Sequence, residues 1–163
     1  CCGFDSVPSD LSVYFLQKHF HERYGHYASR VSGRMGRAAG GVSGGTVASL
    51  MFVAEQASKD TSIRDTVMDP YALYPPGMEK GSDQPDQAGI AWDDDFGSWT
   101  GPFVMAAINT KVVRRSHALA GLPYGADFGY DESQLCCLIG VHSDYLSVPV
   151  SLCIEPNRQG QLH

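Results

Sequence analysis

The stretch PFVMAAINTKVVRRSHALAGLP, residues 102–123, constrains the fold more than any other part of the chain. Its apolar residues recur at helical spacing, Pro102 suits the first turn of a helix, and Gly121 and Pro123 end the pattern. Its second half holds basic residues that complement the carbonyl end of a helix dipole, namely Lys111, Arg114, Arg115 and His117. The sequence therefore predicts a helix from about residue 102 to 119.

Three polar residues of this helix are candidate substrate contacts. Asn109 interrupts an apolar run, so its amide is either a structural hydrogen-bonding group or part of a pocket. Arg114 and Arg115 can bind a carboxylate or phosphate through paired hydrogen bonds. Adjacent helical residues point about 100° apart, however, so the two arginines can equally serve only as the basic end of the helix.

Helices and short strands are predicted on both sides of this stretch. The expected elements are a loop and helix over 5–24, a strand over 27–37, a helix over 46–58 and a turn into a strand over 124–131. The helix over 46–58 has an apolar stripe formed by Val47, Leu50, Met51 and Ala54. Strand-like pieces follow at 136–139 and 148–150, before a polar end at 155–163.

The segment 59–101 is predicted to be a mostly irregular, acidic excursion. Between Asp65 and Asp95 it holds eight acidic residues and one basic residue, Lys80. A short helical turn at 63–68 and a strand near 89–92 are expected inside it. The run at 93–95 is expected to be solvated surface, with Trp92 and Trp99 anchoring the loop to the core.

Composition narrows the class of protein. A chain of 163 residues with 43% hydrophobic content can form one domain with a real core. The formal net charge of −6 argues against a nucleic-acid partner, because binding phosphates requires a basic face. The five cysteines lack zinc spacing, and His19 and His21 do not share a helix face, so no metal site is expected.

Two polar motifs are candidate ligand sites. The first, CGFDSVPSDL at 2–11, offers carboxylates and hydroxyls at a helix start, where Asp5 or Ser6 can also act as a cap. The second, GGVSGGT at 40–46, opens a helix but lacks the order G-x-G-x-x-G and the lysine of a phosphate-binding loop. A tight turn with close helix packing is favoured there over ligand contact.

Four motifs together resemble the saccharopine-dehydrogenase-like oxidoreductases, a group that includes the trans-acting enoyl reductases. They are CGFDSVPSDL at 2–11, GGVSGGTVAS at 40–49, DPYAL at 69–73 and WTGPFVMA at 99–106, the last continuing as NTKVVRRSHAL at 109–119. The resemblance covers roughly residues 1–134. The tail at 135–163 does not share it, and an altered reading frame or a retained intron would explain that difference.

The resemblance implies the α/β (α+β) fold class, with a mixed or antiparallel sheet and packed helices. It implies the second domain of a Rossmann-type dehydrogenase whose N-terminal Rossmann part is missing. Residues 1–24 would be the exit segment and helix of the Rossmann domain, 25–134 the substrate or interface domain, and 135–163 an atypical tail. Ligands bind beyond the carboxyl ends of Rossmann strands. The residues expected nearest the cofactor are therefore Gly3, Asp5, Ser6 and Pro8, with Asp5 the catalytic candidate.

The function implied is that of an internal or C-terminal fragment of an NAD(P)-dependent oxidoreductase of the enoyl reductase type, linked to lipid metabolism. NAD(P) is expected in the full-length protein, and neither cofactor nor activity in this fragment alone. The expected partners are a small-molecule or lipid-type substrate and the missing Rossmann domain. Assembly into a homo-oligomer is left open. A cytoplasmic location is expected, with membrane or lipid association left open. The alternatives are a binding module without catalysis and an inactive truncation product.

Overall fold

The structure, a computed structural model, describes residues 6–36, 44–81, 85–136 and 150–155. Both helices and strands occur along these segments. In chain order they are α1 (Ser6–Tyr24), β1 (Arg30–Met35), α2 (Gly44–Lys59), α3 (Thr61–Met68), β2 (Ala91–Asp93), β3 (Ser98–Gly101), α4 (Ala106–Leu119), β4 (Gly129–Leu135) and β5 (Val150–Glu155).

The five strands form one mixed sheet in the order β2-β3-β4-β1-β5. Strands β1 and β4 run parallel, with Arg30 opposite Gly129, and every other neighbouring pair is antiparallel. The expected fold class, α/β (α+β) with a mixed sheet and packed helices, is confirmed. The strand-like piece expected at 148–150 meets β5 only at its last residue, and residues 137–139 of the other piece lie outside the described segments.

Helices α1 and α4 pack side by side over the central strands. The apolar core lies between these helices and the sheet, and it is formed by Val13, Val31, Val113, Phe128 and Tyr130. Because side chains alternate along a strand, the even-numbered residues of β1 face the other side of the sheet. That side is polar, since Ser32 and Arg34 are both buried there.

The helix expected from residue 102 begins later, at Ala106. Thr100 and Gly101 pair with β4, so the backbone is still extended at the residue before Pro102. A turn must then reverse the chain before a helix can start, and the N–H of Ala106 donates to the carbonyl of Phe103 within it. The end of the helix is as expected, because Gly121 adopts a left-handed φ of 81°.

The acidic segment holds more regular structure than its composition indicates. Helix α3 contains the expected turn and is capped by Asp60, whose side chain accepts from the N–H of Ser62. The strand expected near 89–92 overlaps β2, whereas β3 was not expected. The prediction that Trp92 and Trp99 anchor the loop to the core is wrong, because they lie opposite each other in the β2–β3 pair, stack edge to face at 5.6 Å, and stay exposed.

Helix α2 matches the expected helix at 46–58 within two residues at its start and one at its end. Its apolar stripe is not used for packing in the described part of the chain. Side chains at Val47, Leu50 and Met51 stay exposed, and no residue of α2 or α3 is buried. None of the helices among the described residues is long and apolar enough to cross a bilayer.

Candidate functional site

The start of α1 is joined to α4 by a buried hydrogen bond. Ser6, the first residue of α1, donates from Oγ to Asn109 Oδ1 at 3.0 Å. Asn109 lies in the first turn of α4, so the two helices bring their N-terminal turns together. Both side chains are at most 2% exposed, and each therefore needs its partner.

The same asparagine continues the connection to the sheet. Asn109 Nδ2 donates to Glu132 Oε2 at 2.8 Å, and the hydroxyl of Tyr130 donates to Glu132 Oε1 at 2.5 Å. Tyr130 and Glu132 are two residues apart on β4 and therefore face the same side. We call Ser6, Asn109, Tyr130 and Glu132 the polar cluster, and all four members are buried.

The neighbouring strand leaves room for the polar cluster. Gly33 of β1 lies opposite Glu132 in the parallel register. A Cβ atom at Gly33 would stand 3.1 Å from the Tyr130 hydroxyl and 3.2 Å from Glu132 Cγ. A larger residue would therefore displace the Tyr130–Glu132 pair, and glycine is required here for close approach, not for its φ angle.

The polar cluster holds one carboxylate with neutral donors. No salt bridge reaches Glu132 within the described segments. Burial raises the pKa of Tyr130, and the adjacent Glu132 raises it further, while a hydrogen bond with Ser9 opposes them. The phenol therefore stays protonated at neutral pH, where it donates a hydrogen bond and does not act as a base.

The basic half of α4 binds backbone carbonyls of the last turn of α3 and of the segment that follows it. Lys111 Nζ donates to the carbonyl of Val67 at 2.5 Å and Arg115 Nη1 to that of Leu73 at 2.6 Å. Arg114 is buried, and its guanidinium reaches the carbonyls of Pro70 and Tyr130, each at 3.4 Å. These side chains hold the segment 67–73 against α4.

The sequence-derived site residues thus fall into separate groups. Ser6 and Asn109 are brought into direct contact, and Arg114 reaches the polar cluster through the carbonyl of Tyr130. Arg115 is exposed and turned toward Leu73, and Pro8 is half-buried in the first turn of α1. Gly3 and Asp5 lie outside the described residues.

An ionic network on the opposite face of the sheet connects β1, β2 and β4. Arg34 Nε donates to Asp93 Oδ2 and Arg34 Nη1 to Asp131 Oδ2, both at 2.6 Å, and Arg30 reaches Asp131 Oδ1 at 3.0 Å. Burial by itself would lower the pKa of Arg34, but the two carboxylates raise it overall. The expectation that Asp93 is solvated is wrong, because this ion pair takes it into the sheet, where it is 9% exposed.

Two members of the polar cluster were missed from the sequence, Tyr130 and Glu132. The expected strand ended at residue 131, so the sequence did not predict that these two residues lie on the same face of one strand. A carboxylate two residues after a tyrosine, on the side of the strand that holds Phe128, is the signal that could have revealed them. No group of three or more metal-ligating side chains is arranged for a metal ion in the segments that the structure describes.

Together, the mixed sheet, α1 and α4 on one of its faces and the polar cluster under their N-termini form an α+β domain. Comparison with known proteins gives relatives for it. The chain is 41% identical over 138 residues to a Mycobacterium tuberculosis protein named as a trans-acting enoyl reductase, a match that covers 81% of this chain and 33% of the relative. Trans-acting enoyl reductases of Mycobacterium leprae and Mycobacterium bovis are each 37% identical, over 139 and 142 residues, with the same coverage.

The chain spans about a third of the length of the curated relatives that it matches. No protein-family model matches the chain. No solved structure matches it either.

Proposed function

We propose that this chain is part of an NAD(P)-dependent oxidoreductase of the saccharopine-dehydrogenase-like group that reduces the carbon–carbon double bond of an enoyl substrate in lipid metabolism. The names of the relatives support the enoyl reductase type. The four motifs at 2–11, 40–49, 69–73 and 99–119 support the wider group.

The observation that carries the proposal is the hydrogen-bond chain from Ser6 through Asn109 to Glu132. It fixes the first residue of α1, which lies inside the motif at 2–11. This contact gives the start of α1 a defined position over the sheet, within the motif that the resemblance implies lies near the cofactor. A fixed approach matters in hydride transfer, because the protein contributes orientation while the cofactor contributes the reactive chemistry.

The nicotinamide, when bound, supplies the hydride for the reduction. The sequence contains no G-x-G-x-x-G, so the pyrophosphate of the dinucleotide would be bound outside these 163 residues. What this chain would contribute is the position of Gly3, Asp5, Ser6 and Pro8 near the cofactor. Asn109 and Arg114 would contribute on the substrate side through the polar cluster.

The test uses the full product of the gene, assayed for NADPH oxidation with crotonyl-coenzyme A as a short enoyl substrate. Ser6→Ala removes the donor to Asn109, and we expect kcat to fall roughly tenfold because the start of α1 is no longer held. Ser12→Ala, on the same helix but away from the polar cluster, is the matched control and should keep normal turnover. Asp5→Asn should lower turnover with little change in the melting temperature.

Each outcome decides a different part of the proposal. Failure of the full gene product to oxidise NADPH or NADH with any enoyl thioester would contradict the enoyl reductase function. Normal turnover in Ser6→Ala would contradict the positioning role of the polar cluster. Normal turnover in Asp5→Asn would remove Asp5 from the site.

A further inference from the structure

A pocket lies along the contact between α1 and α4. It begins one turn of α1 beyond Ser6 and has a volume of about 310 Å³. Its lining comes from both helices and from the loop before β4, and it consists of Asp10, Leu11, Val13, Tyr14, Val113, Ser116, His117, Ala120 and Tyr124. We call it the α1–α4 pocket. Its volume is at the lower end of the range for ligand pockets, which indicates a small ligand.

Most of the wall is apolar or aromatic, and one charged group stands in it. Among the described residues of the lining, Asp10 alone carries a formal charge at neutral pH. Ser116 donates from Oγ to Asp10 Oδ2 at 2.9 Å, which holds the carboxylate in place. Burial raises the pKa of Asp10, and this hydrogen bond opposes the effect. A cation bound beside Asp10 would offset the loss of hydration.

His117 adds an aromatic ring to the same lining. Its Nε2 lies 2.9 Å from the carbonyl of Gly125, so Nε2 carries the proton. Its Nδ1 is buried and has no hydrogen-bond partner among the described residues. Burial lowers the pKa of His117, while the hydrogen bond to Gly125 opposes the shift. The ring is therefore neutral at neutral pH and does not repel a cation in the pocket.

Tyr124 closes the pocket on the side of the loop. Its ring is stacked on that of His117, with centroids 4.9 Å apart and planes 7° from parallel. Tyr124 and Asp10 both line the pocket, so the ring and the carboxylate border the same space. An aromatic face beside a carboxylate favours a cationic group.

We propose that the α1–α4 pocket binds a small, largely apolar molecule that carries a protonated amine. Its ammonium group would donate to Asp10, and its apolar body would lie against Leu11, Val13 and Val113. Among the described lining residues the single formal charge is the negative charge of Asp10, whose carboxylate only accepts hydrogen bonds, so a ligand with a positive charge and N–H donors complements it. This site is independent of the enoyl reductase proposal.

The test compares three probes of matched shape by calorimetric titration of the 163-residue chain at neutral pH. They are benzylamine, benzyl alcohol and phenylacetate, which carry a positive, a zero and a negative charge. We expect benzylamine to bind about tenfold more tightly than benzyl alcohol, a difference of about 1.4 kcal/mol, and phenylacetate not to bind. Equal binding of the amine and the alcohol, or binding of phenylacetate, would overturn the proposal.

Three variants locate the site. Asp10→Asn keeps the shape and the acceptor for Ser116, and it should reduce benzylamine binding to the level of benzyl alcohol. Asp94→Asn removes an exposed carboxylate elsewhere and should leave binding unchanged. Ala120→Phe fills the pocket from an exposed position and should weaken all probes, which keeps the test decisive if Asp10→Asn does not fold. Benzylamine binding that survives either Asp10→Asn or Ala120→Phe would show that the amine binds elsewhere.

Discussion

Two regions of the molecule use their apolar residues in opposite ways. In the body formed by α1, α4 and the sheet, buried polar and charged residues outnumber buried apolar ones within the described segments. In the α2–α3 pair, apolar residues are plentiful, yet Val47, Met51 and Phe52 remain exposed and no residue is buried. Apolar spacing alone therefore does not decide which helix belongs to the core.

The two regions differ because the body pairs its buried polar groups by specific hydrogen bonds and ion pairs. In the body, specific hydrogen bonds and ion pairs connect the helices and strands, such as Ser6 to Asn109 or Arg34 to Asp93. Buried polar groups of this kind stabilise a structure only when they are paired, and they are costly when one partner is removed. The body should consequently be sensitive to polar substitutions and the α2–α3 pair insensitive to apolar ones.

The largest effect is expected from Arg34→Met. It leaves Asp93 and Asp131 without their buried counter-ion, and such a loss costs about 3–5 kcal/mol. Urea unfolding measures the change in the free energy of unfolding. Arg30→Met is the matched control, because Arg30 shares the same face of β1 and pairs with Asp131 from an exposed position, where the cost is about 0–1 kcal/mol. Equal losses in the two variants would contradict the account of the ionic network.

A smaller effect is expected from Tyr130→Phe. The ring stays in the core, but Glu132 Oε1 loses a buried donor, which costs about 1–3 kcal/mol. The same substitution at the half-buried Tyr74 should cost much less and serves as the control. If urea unfolding shows no loss for Tyr130→Phe, the polar cluster does not stabilise the body.

The pH dependence of the free energy of unfolding should show the contribution of His117. Burial lowers the pKa of His117 in the folded state, so below about pH 6.5 the unfolded chain takes up a proton that the folded chain does not. Stability therefore falls as the pH drops through this range, by at most about 1.4 kcal/mol per pH unit. His117→Phe should flatten the slope while keeping the aromatic stack. The pKa of Asp10 is raised in the folded state, so protonation of Asp10 stabilises the fold. This effect is opposite in sign to that of His117 and occurs at lower pH, just above the usual pKa of a carboxyl group. An unchanged slope in His117→Phe would contradict the assignment.

The smallest effect is expected on α2. Met51→Lys and Phe52→Lys place charges at positions that are 68% and 62% exposed, so each should change the free energy of unfolding by less than about 0.5 kcal/mol. A loss above about 2 kcal/mol in the 163-residue chain would mean that α2 is packed, and the contrast between the two regions would fail.

The sequence predicted the parts of the fold that depend on local pattern. The helices at α1, α2 and α4 and the strand β1 came from spacing and from Gly25 and Gly121 at helix ends. The predicted start of α4 was wrong because β3 pairs with β4 and keeps residue 101 extended. Such pairing is not visible in a short window of sequence. The burial of Asp93 was missed for the same reason, since its partner Arg34 is 59 residues away.

The candidate site was predictable only in part. Ser6 and Asn109 were singled out because a hydroxyl at a helix start and an amide in an apolar helix both need partners. That they are each other's partner depends on α1 and α4 packing side by side, across 103 residues of chain. Tyr130 and Glu132 joined them only once β4 was known to extend to Leu135.

The most direct test of the proposed function is a fluorescence titration of NADPH and NADH, comparing the 163-residue chain with the full product of its gene. Binding by the full product alone is the predicted result, since the pyrophosphate of the dinucleotide would be held outside these 163 residues. Tight binding by the 163-residue chain alone would contradict this division and would point to the glycine-rich stretch at 40–46. Binding by neither would contradict the assignment to an NAD(P)-dependent reductase.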